Sequence, residues 1–174
     1  LSVMLSTGSS AIVAKKMGEG KKGEANQNFT FLFIVLMAVG TLVTIGVLVF
    51  IDPLLSFLGA IETLYTYSYD YLFTTVMFTL VTMAKLYFDF FLVTSGKANL
   101  ALINSVIGGV TNVILDYVFM GPLNMGMAGA AYATEIAMIL PVILSFIYFA
   151  SKKLTICFTK PKAGIKLVLS ACAN

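Results

Sequence analysis

Long apolar runs alternate along this chain with short stretches rich in lysine, glycine or proline, and that alternation predicts a bundle of membrane-crossing helices. Residues 29–51 carry no charge and would measure about 34 Å as an α-helix, enough for a tilted crossing of roughly 30 Å of hydrocarbon. Further spans are predicted at residues 72–95, 100–120 and 127–150. Residues 1–14 are apolar but too few to cross alone, and residues 165–174 open another apolar helix. Both are expected to be truncated spans, and the chain is expected to be an internal piece of a longer protein. No basic stretch followed by a cleavage site marks the opening residues as a signal peptide. The expected fold class is all-α: a polytopic transmembrane helix bundle with four complete spans and two truncated ones.

The connections carry the turn and orientation signals. Lys15 to Glu24 mixes four lysines with three glycines and predicts a water-exposed loop leading into a short amphipathic entry to the next helix. Asp52-Pro53 is expected to end the first complete span, and residues 54–65 form an amphipathic connection containing Gly59 and Glu62. Tyr65, Tyr67, Tyr69 and Tyr71 alternate, a spacing that spreads them around a helix, as an interfacial aromatic belt or as a drug-stacking cage. Ser95 to Asn99 and Gly121 to Gly126 predict turns. Gly126, Ala130 and Thr134 repeat the small-xxx-small spacing that lets a helix approach its predecessor closely, and Pro141 is expected to kink the same helix. Lys152, Lys153, Lys160, Lys162 and Lys166 fill a last basic loop. Lysines occupy alternate connections only, so the positive-inside rule places those loops in the cytoplasm, with residues 29–51 and 100–120 running outward.

Composition narrows the class. Hydrophobic residues make up 59% of the 174 positions and charged residues 11%, against about 25% charged in an average soluble protein. The chain is therefore read as an integral membrane protein, multi-pass in the cytoplasmic (cell) membrane, with membrane lipid as its surroundings. The net charge of +3 rests entirely on clustered lysines with no basic domain around them, so no nucleic-acid partner is expected. With no histidine and only Cys157 and Cys172 as thiols, zinc-finger and disulfide-scaffold readings have no residues to stand on. No resident cofactor is expected.

Candidate chemistry concentrates in residues 100–120. Asn104, Gly108, Asn112 and Asp116 follow one another at i, i+4 spacing and form one polar and small-residue stripe that must face protein or water. An ionisable residue inside a membrane helix is costly and reads as functional by default. A carboxylate, an amide carbonyl and a hydroxyl are the oxygen donors that a hard cation such as sodium requires. Burial also disfavours the charged form of a carboxyl group, so the same residue type can carry a proton instead. The competing reading of Asn112 and Asp116 is a polar clamp between helices, and that of Thr134 is a bond back to its own helix. Lys85 and Asp89, at i, i+4 in the second complete span, either neutralise each other or border a transport cavity. Lys85, Asp89 and Asn104 are the substrate-cavity candidates.

Four stretches together resemble the multidrug and toxic compound extrusion (MATE) transporters: Gly8 to Gly20, Thr94 to Asn99, Asn112-Val113-Ile114-Leu115-Asp116, and Gly126-Met127-Ala128-Gly129-Ala130-Ala131-Tyr132-Ala133-Thr134. The resemblance implies a twelve-helix antiporter of two six-helix lobes, exporting drugs and organic cations against inward sodium or proton flow. The chain would then hold a partial N-terminal lobe: the tail of the second helix, helices three to six and the first turns of the seventh. Its missing partner would be the remainder of the transporter chain. The resemblance also implies that Asp116, Asn112 and Thr134 bind the coupling ion, as metal ligands where that ion is Na+ and as a proton site where it is H+. The family's first-helix carboxylate has no counterpart, and its arginine before the glycine of the turn after the fourth helix is replaced, Phe91 to Ser95 standing there.

The expected function is a cation-coupled antiporter for drugs and organic cations with no covalent chemistry. A flippase for lipid-linked saccharides, which calls for a strongly basic cavity, and a structural membrane subunit are the alternatives. An enzyme is not expected, because no His-Glu metal pair or nucleophile with a histidine base can be assembled without histidine. The loop asymmetry yields a direct test. Cysteines placed near Lys21 and Lys160 should react with impermeant reagents only from the cytoplasmic side, and one near Glu62 only from outside; labelling of the Lys21 and Glu62 positions from the same face would refute the topology.

Overall fold

Seven α-helices account for nearly all of what the computed structural model describes, namely residues 2–57, 62–151 and 156–160, and no strand occurs among those residues. They are α1 (Ser2–Gly18), α2 (Lys22–Val49), α3 (Ile51–Phe57), α4 (Glu62–Met77), α5 (Thr79–Thr94), α6 (Ala98–Met120) and α7 (Gly126–Ala150). By length and hydropathy α2, α6 and α7 can each cross a membrane, and α4 with α5 makes a fourth crossing if the bent pair counts as one span. Their outer faces are greasy, with Leu42, Val113 and Ile147 well exposed, as a lipid-facing surface requires. The expected helix at 165–174, Gly59, and Lys152, Lys153, Lys162 and Lys166 lie outside the described residues.

The two lysine-bearing turns are built alike. α1 runs through Lys15 and Lys16, which were expected in the loop, and stops where Gly20 takes φ +76°. Lys21 N–H then bonds the Lys16 carbonyl and Gly20 N–H the Met17 carbonyl. At the end of α5, Gly96 takes φ +74°, with Lys97 N–H on the Leu92 carbonyl and Gly96 N–H on the Val93 carbonyl. This paired arrangement satisfies carbonyls that a helix end leaves bare, and only glycine enters it without strain. Around the first turn, Lys16 meets Glu24 at 2.9 Å and Lys21 meets Glu19 at 3.2 Å. The bond from Lys21 holds the Glu19 carboxyl below the usual carboxylate range. These pairs are exposed and contribute little to stability.

Three local features differ from the sequence expectation. α2 ends at Val49, and Asp52-Pro53 instead opens α3, where a first-turn proline sacrifices no helical hydrogen bond. Residues 72–95 are not one straight helix: Ser68–Met77 and Thr79–Thr94 meet at 51° across Phe78. Thr79 Oγ donates to the Thr75 carbonyl at 3.2 Å and Val81 N–H bonds the Phe78 carbonyl at 2.9 Å, so hydroxyl back-bonding and a tightened turn stand beside the regular bonds from Phe78 N–H to the Thr74 carbonyl and from Thr82 N–H to the Phe78 carbonyl. The tyrosines also do not all disperse. Tyr65, Tyr69 and Phe73, at i, i+4 spacing, stack with ring centroids 6.5 and 6.1 Å apart, and Tyr65 Oη donates to Asp52 Oδ1 at 2.7 Å.

The densest packing is an aromatic knot joining α2, α5, α7 and residues 156–160. Phe29 on α2 lies 4.8 Å from Phe91, 5.1 Å from Phe149 and 5.0 Å from Phe158, ring centre to ring centre. Tyr87 is fully buried and donates its Oη hydrogen to the Phe29 carbonyl at 2.7 Å. Residues 156–160 have no helix to satisfy their backbone, so α2 side chains do it. Cys157 N–H donates to Asn26 Oδ1 at 3.2 Å and Thr159 N–H to Thr30 Oγ at 3.0 Å. Truncating Phe29 to alanine should remove about 3 kcal/mol or more by opening a cavity in this knot. Tyr87→Phe should cost about 1 kcal/mol, one hydrogen bond. Thermal unfolding in detergent checks the order, and equal effects would refute it.

Candidate functional site

α6 and α7 run antiparallel, and the stripe of α6 lies along their seam. Asn104 Nδ2 donates to Ser145 Oγ at 2.8 Å, both side chains being buried. One turn on, a Cβ on Gly108 would stand 3.2 Å from Pro141 Cγ and 3.6 Å from the Ala137 carbonyl, so the absence of a side chain sets the spacing of the two backbones. One turn further, Asn112 Nδ2 donates to Thr134 Oγ at 3.3 Å, and Thr134 donates in turn to its own Ala130 carbonyl at 3.0 Å. Asp116 follows, with Oδ1 buried and without a hydrogen-bond partner among the described residues. The close approach at the start of α7 falls on Gly129, where a Cβ would meet Phe119 and Met125. Gly126, expected to pack, instead takes φ +55° in the turn and has open space around it.

Beside the seam lies a cavity of about 180 Å³, lined among others by Lys85, Ser105, Gly108, Asn112, Thr134 and Pro141. Lys85 Nζ is 2.8 Å from Asp89 Oδ2, so the ammonium that borders the cavity arrives already neutralised by its neighbour one turn away. The self-neutralising reading of that pair is thus what the structure shows, and Asp89 is not among the residues lining the cavity. Asn104 borders a different cavity, of about 260 Å³, together with Leu92, Ile107, Ser145 and Tyr148. The structure brings Asn112 and Thr134 together, sets Asp116 one turn along the same face, and separates Asn104 from them. No group of three or more Asp, Glu, Cys or His side chains with metal-binding geometry occurs among the described residues.

One acidic residue of this region escaped the sequence reading. Glu135, next to Thr134, points to the opposite side of α7, is 6% exposed, and accepts a hydrogen bond from Thr82 Oγ at 3.1 Å. Its signal was the rule applied to Lys85, an ionisable residue inside an apolar span.

A membrane-spanning helical bundle with polar groups buried along helix seams is the construction of a solute transporter. The MatE family profile matches residues 1–118, which include Asn112 and Asp116 and stop short of Thr134, and the chain belongs to that transporter family. Among solved structures, the chain superposes on an inward-facing multidrug resistance MATE family transporter of the MOP superfamily with a TM-score of 0.92 and 22% identity, covering 99% of this chain and 40% of that one. An outward-facing transporter of the same description gives 0.90 at 23% identity, covering 98% and 38%. A MOP superfamily transporter from Pyrococcus furiosus Vc1, described as having a binding pocket of reverse polarity, also gives 0.90 at 23% identity, covering 98% and 38%. The chain thus spans about two fifths of the length of these transporters. No curated protein sequence matches it.

The seam geometry separates two adjacent glycines. Gly108→Ala, whose Cβ would press on Pro141, should lower thermal stability and folded yield, whereas Gly109→Ala, whose Cβ would meet no neighbouring atom within 4 Å, should be tolerated. Equal sensitivity of the two positions in a detergent melting assay would contradict the register.

Proposed function

We propose that the chain supplies the cation-binding part of an antiporter that exports drugs and organic cations by alternating access, coupled to Na+ or H+ entry across the cytoplasmic membrane. The observation that carries this reading is the seam itself. Asn112 and Thr134 meet across two helices, and Asp116 lies one turn on with a buried oxygen lacking a partner. A buried carboxylate oxygen in that condition gains most from a cation or a proton. The amide and hydroxyl add neutral oxygens suited to a hard ion. Asp116, Asn112 and Thr134 are therefore assigned the coupling ion, and the cavity beside them, with Lys85 on its wall, is where an exported solute would be felt.

Alternating access needs one body to rock against another. The near-equal superposition on inward-facing and outward-facing transporters, TM-scores 0.92 and 0.90, supports the described helices acting largely as one such body. The flippase alternative gains nothing here, because the one lysine on the cavity wall is paired with Asp89. On this reading, residues 1–174 expressed alone should show no drug efflux in proteoliposomes, for lack of a second body; robust efflux would refute it.

The coupling role is tested at Asp116. Asp116→Asn keeps the size of the side chain and removes its charge and its proton exchange. Losing a buried ionic partner costs about 3 kcal/mol or more, roughly a hundredfold in ion affinity. Drug efflux in the transporting protein should collapse while membrane insertion survives. Asn112→Ala and Thr134→Ala should lower it less, since each removes a neutral oxygen and leaves the charge. Unchanged sodium- and pH-dependence in Asp116→Asn at normal expression would make the seam a packing clamp.

A further inference from the structure

Away from the seam, across α7, lies a second cavity of about 240 Å³, where α1, α4, α5 and α7 converge. Glu135 supplies its carboxylate and is more than nine-tenths buried. Thr75, before the bend at Phe78, and Thr79 and Thr82, after it, also line the cavity. Ser2 adds a fourth hydroxyl, whose oxygen is buried without a hydrogen-bond partner among the described residues.

The charge balance of this cavity is incomplete. Glu135 accepts one bond from a neutral hydroxyl, Thr82 Oγ at 3.1 Å, and none of the ion pairs among the described residues includes it. Among the residues whose side chains are described, the charged groups on the surrounding helices are engaged or placed elsewhere, and Tyr132, one turn before Glu135 on α7, is half-buried. On α5, Lys85 and Asp89 close on each other and Tyr87 is bonded to the Phe29 carbonyl. On α1, Lys16 pairs with Glu19 and Glu24, and Lys15 stands beside it in the last turn. On α4, Asp70 and Tyr71 are exposed and Tyr65 and Tyr69 belong to the stacked ladder; on α6, Asp116 and Tyr117 lie towards its far end. A buried carboxylate facing only neutral hydroxyls is costly unless it is protonated or holds a cation.

We propose that Glu135, Thr75, Thr79, Thr82 and Ser2 form a second binding site for one monovalent cation, Na+ or a proton, separate from the α6–α7 seam. The donors are a carboxylate and hydroxyl oxygens, the set that a hard cation takes. The cavity holds a small ion with a few waters, at about 30 Å³ each, and is smaller than the roughly 300 Å³ or more of a drug-sized pocket. This site does not depend on the role given to Asp116.

The test compares the protein and its Glu135→Gln, Thr82→Val and Asp116→Asn variants, purified in detergent, by radioactive sodium binding and by infrared difference spectra of the carboxyl C=O stretch. Glu135→Gln should lose one bound sodium or one titrating carboxyl band, and Asp116→Asn should retain that signal. Thr82→Val should weaken occupancy roughly two- to tenfold, the share of one neutral hydrogen bond. A band that vanishes on adding sodium at fixed pH identifies Na+; one that follows pH and ignores sodium identifies the proton. Unchanged sodium binding and unchanged spectra in Glu135→Gln would overturn the proposal, and if that variant does not fold, the same result in Thr82→Val would do so.

Discussion

The close approach of α6 and α7 at Gly108 fixes where every polar group of the seam can be. α6 buries little else, since Ala101 and Asn104 are its only buried residues, so its position is set by one line of contact. Along that line Asn104 faces Ser145, Gly108 faces Pro141, and Asn112 faces Thr134. Within lipid there is no hydrophobic force to press helices together, and interhelical hydrogen bonds average only about 0.6 kcal/mol. The amides therefore act chiefly as register marks, and the backbone contact that Gly108 permits supplies the packing. A shift by one residue would rotate Asn112 and Asp116 off the seam and into lipid.

α7 is the shared wall of the structure. Phe149 holds its far end in the aromatic knot with Phe29, Phe88 and Tyr148, while Thr134 and Glu135 near its start face opposite sides. The two cavities flanking this stretch both touch Met138, whose sulfur lies 3.6 Å from Thr82 Oγ. A flexible thioether between two cavities is a soft partition, able to change rotamer without breaking a strong contact.

Much of this was legible in the chain because membrane helices leave strong signals. The uncharged run at 29–51 could only be a helix, and the 3.6-residue period put Asn104, Gly108, Asn112 and Asp116 on one face before any partner was known. Other features lacked such a signal. Threonine is nearly neutral in hydropathy, so the bend at Phe78 left the apolar run unbroken. Small-xxx-small spacing gives candidate contacts but not their register, and the contact fell on Gly129 in place of Gly126. Tyr65, Tyr69 and Phe73 stack because i, i+4 neighbours share a helix face, a period hidden behind the alternation of tyrosines. Glu135 was overlooked because its neighbour Thr134 carried the family resemblance. The pairing of residues 156–160 with Asn26 and Thr30 is a long-range contact between chemically ordinary residues and has no sequence signature.

Whether the seam of α6 and α7 holds the coupling ion, as proposed, is tested most directly by hydrogen–deuterium exchange of the purified protein. Exchange should be followed with and without sodium and at mildly acid against mildly alkaline pH, corrected for intrinsic rates. If the ion binds at Asp116, Asn112 and Thr134 as proposed, its occupation should slow exchange in residues 104–120 and 126–141 together, since both helices would then contribute ligands. Exchange that responds to neither ion in these segments, or that changes only elsewhere, would contradict the claim.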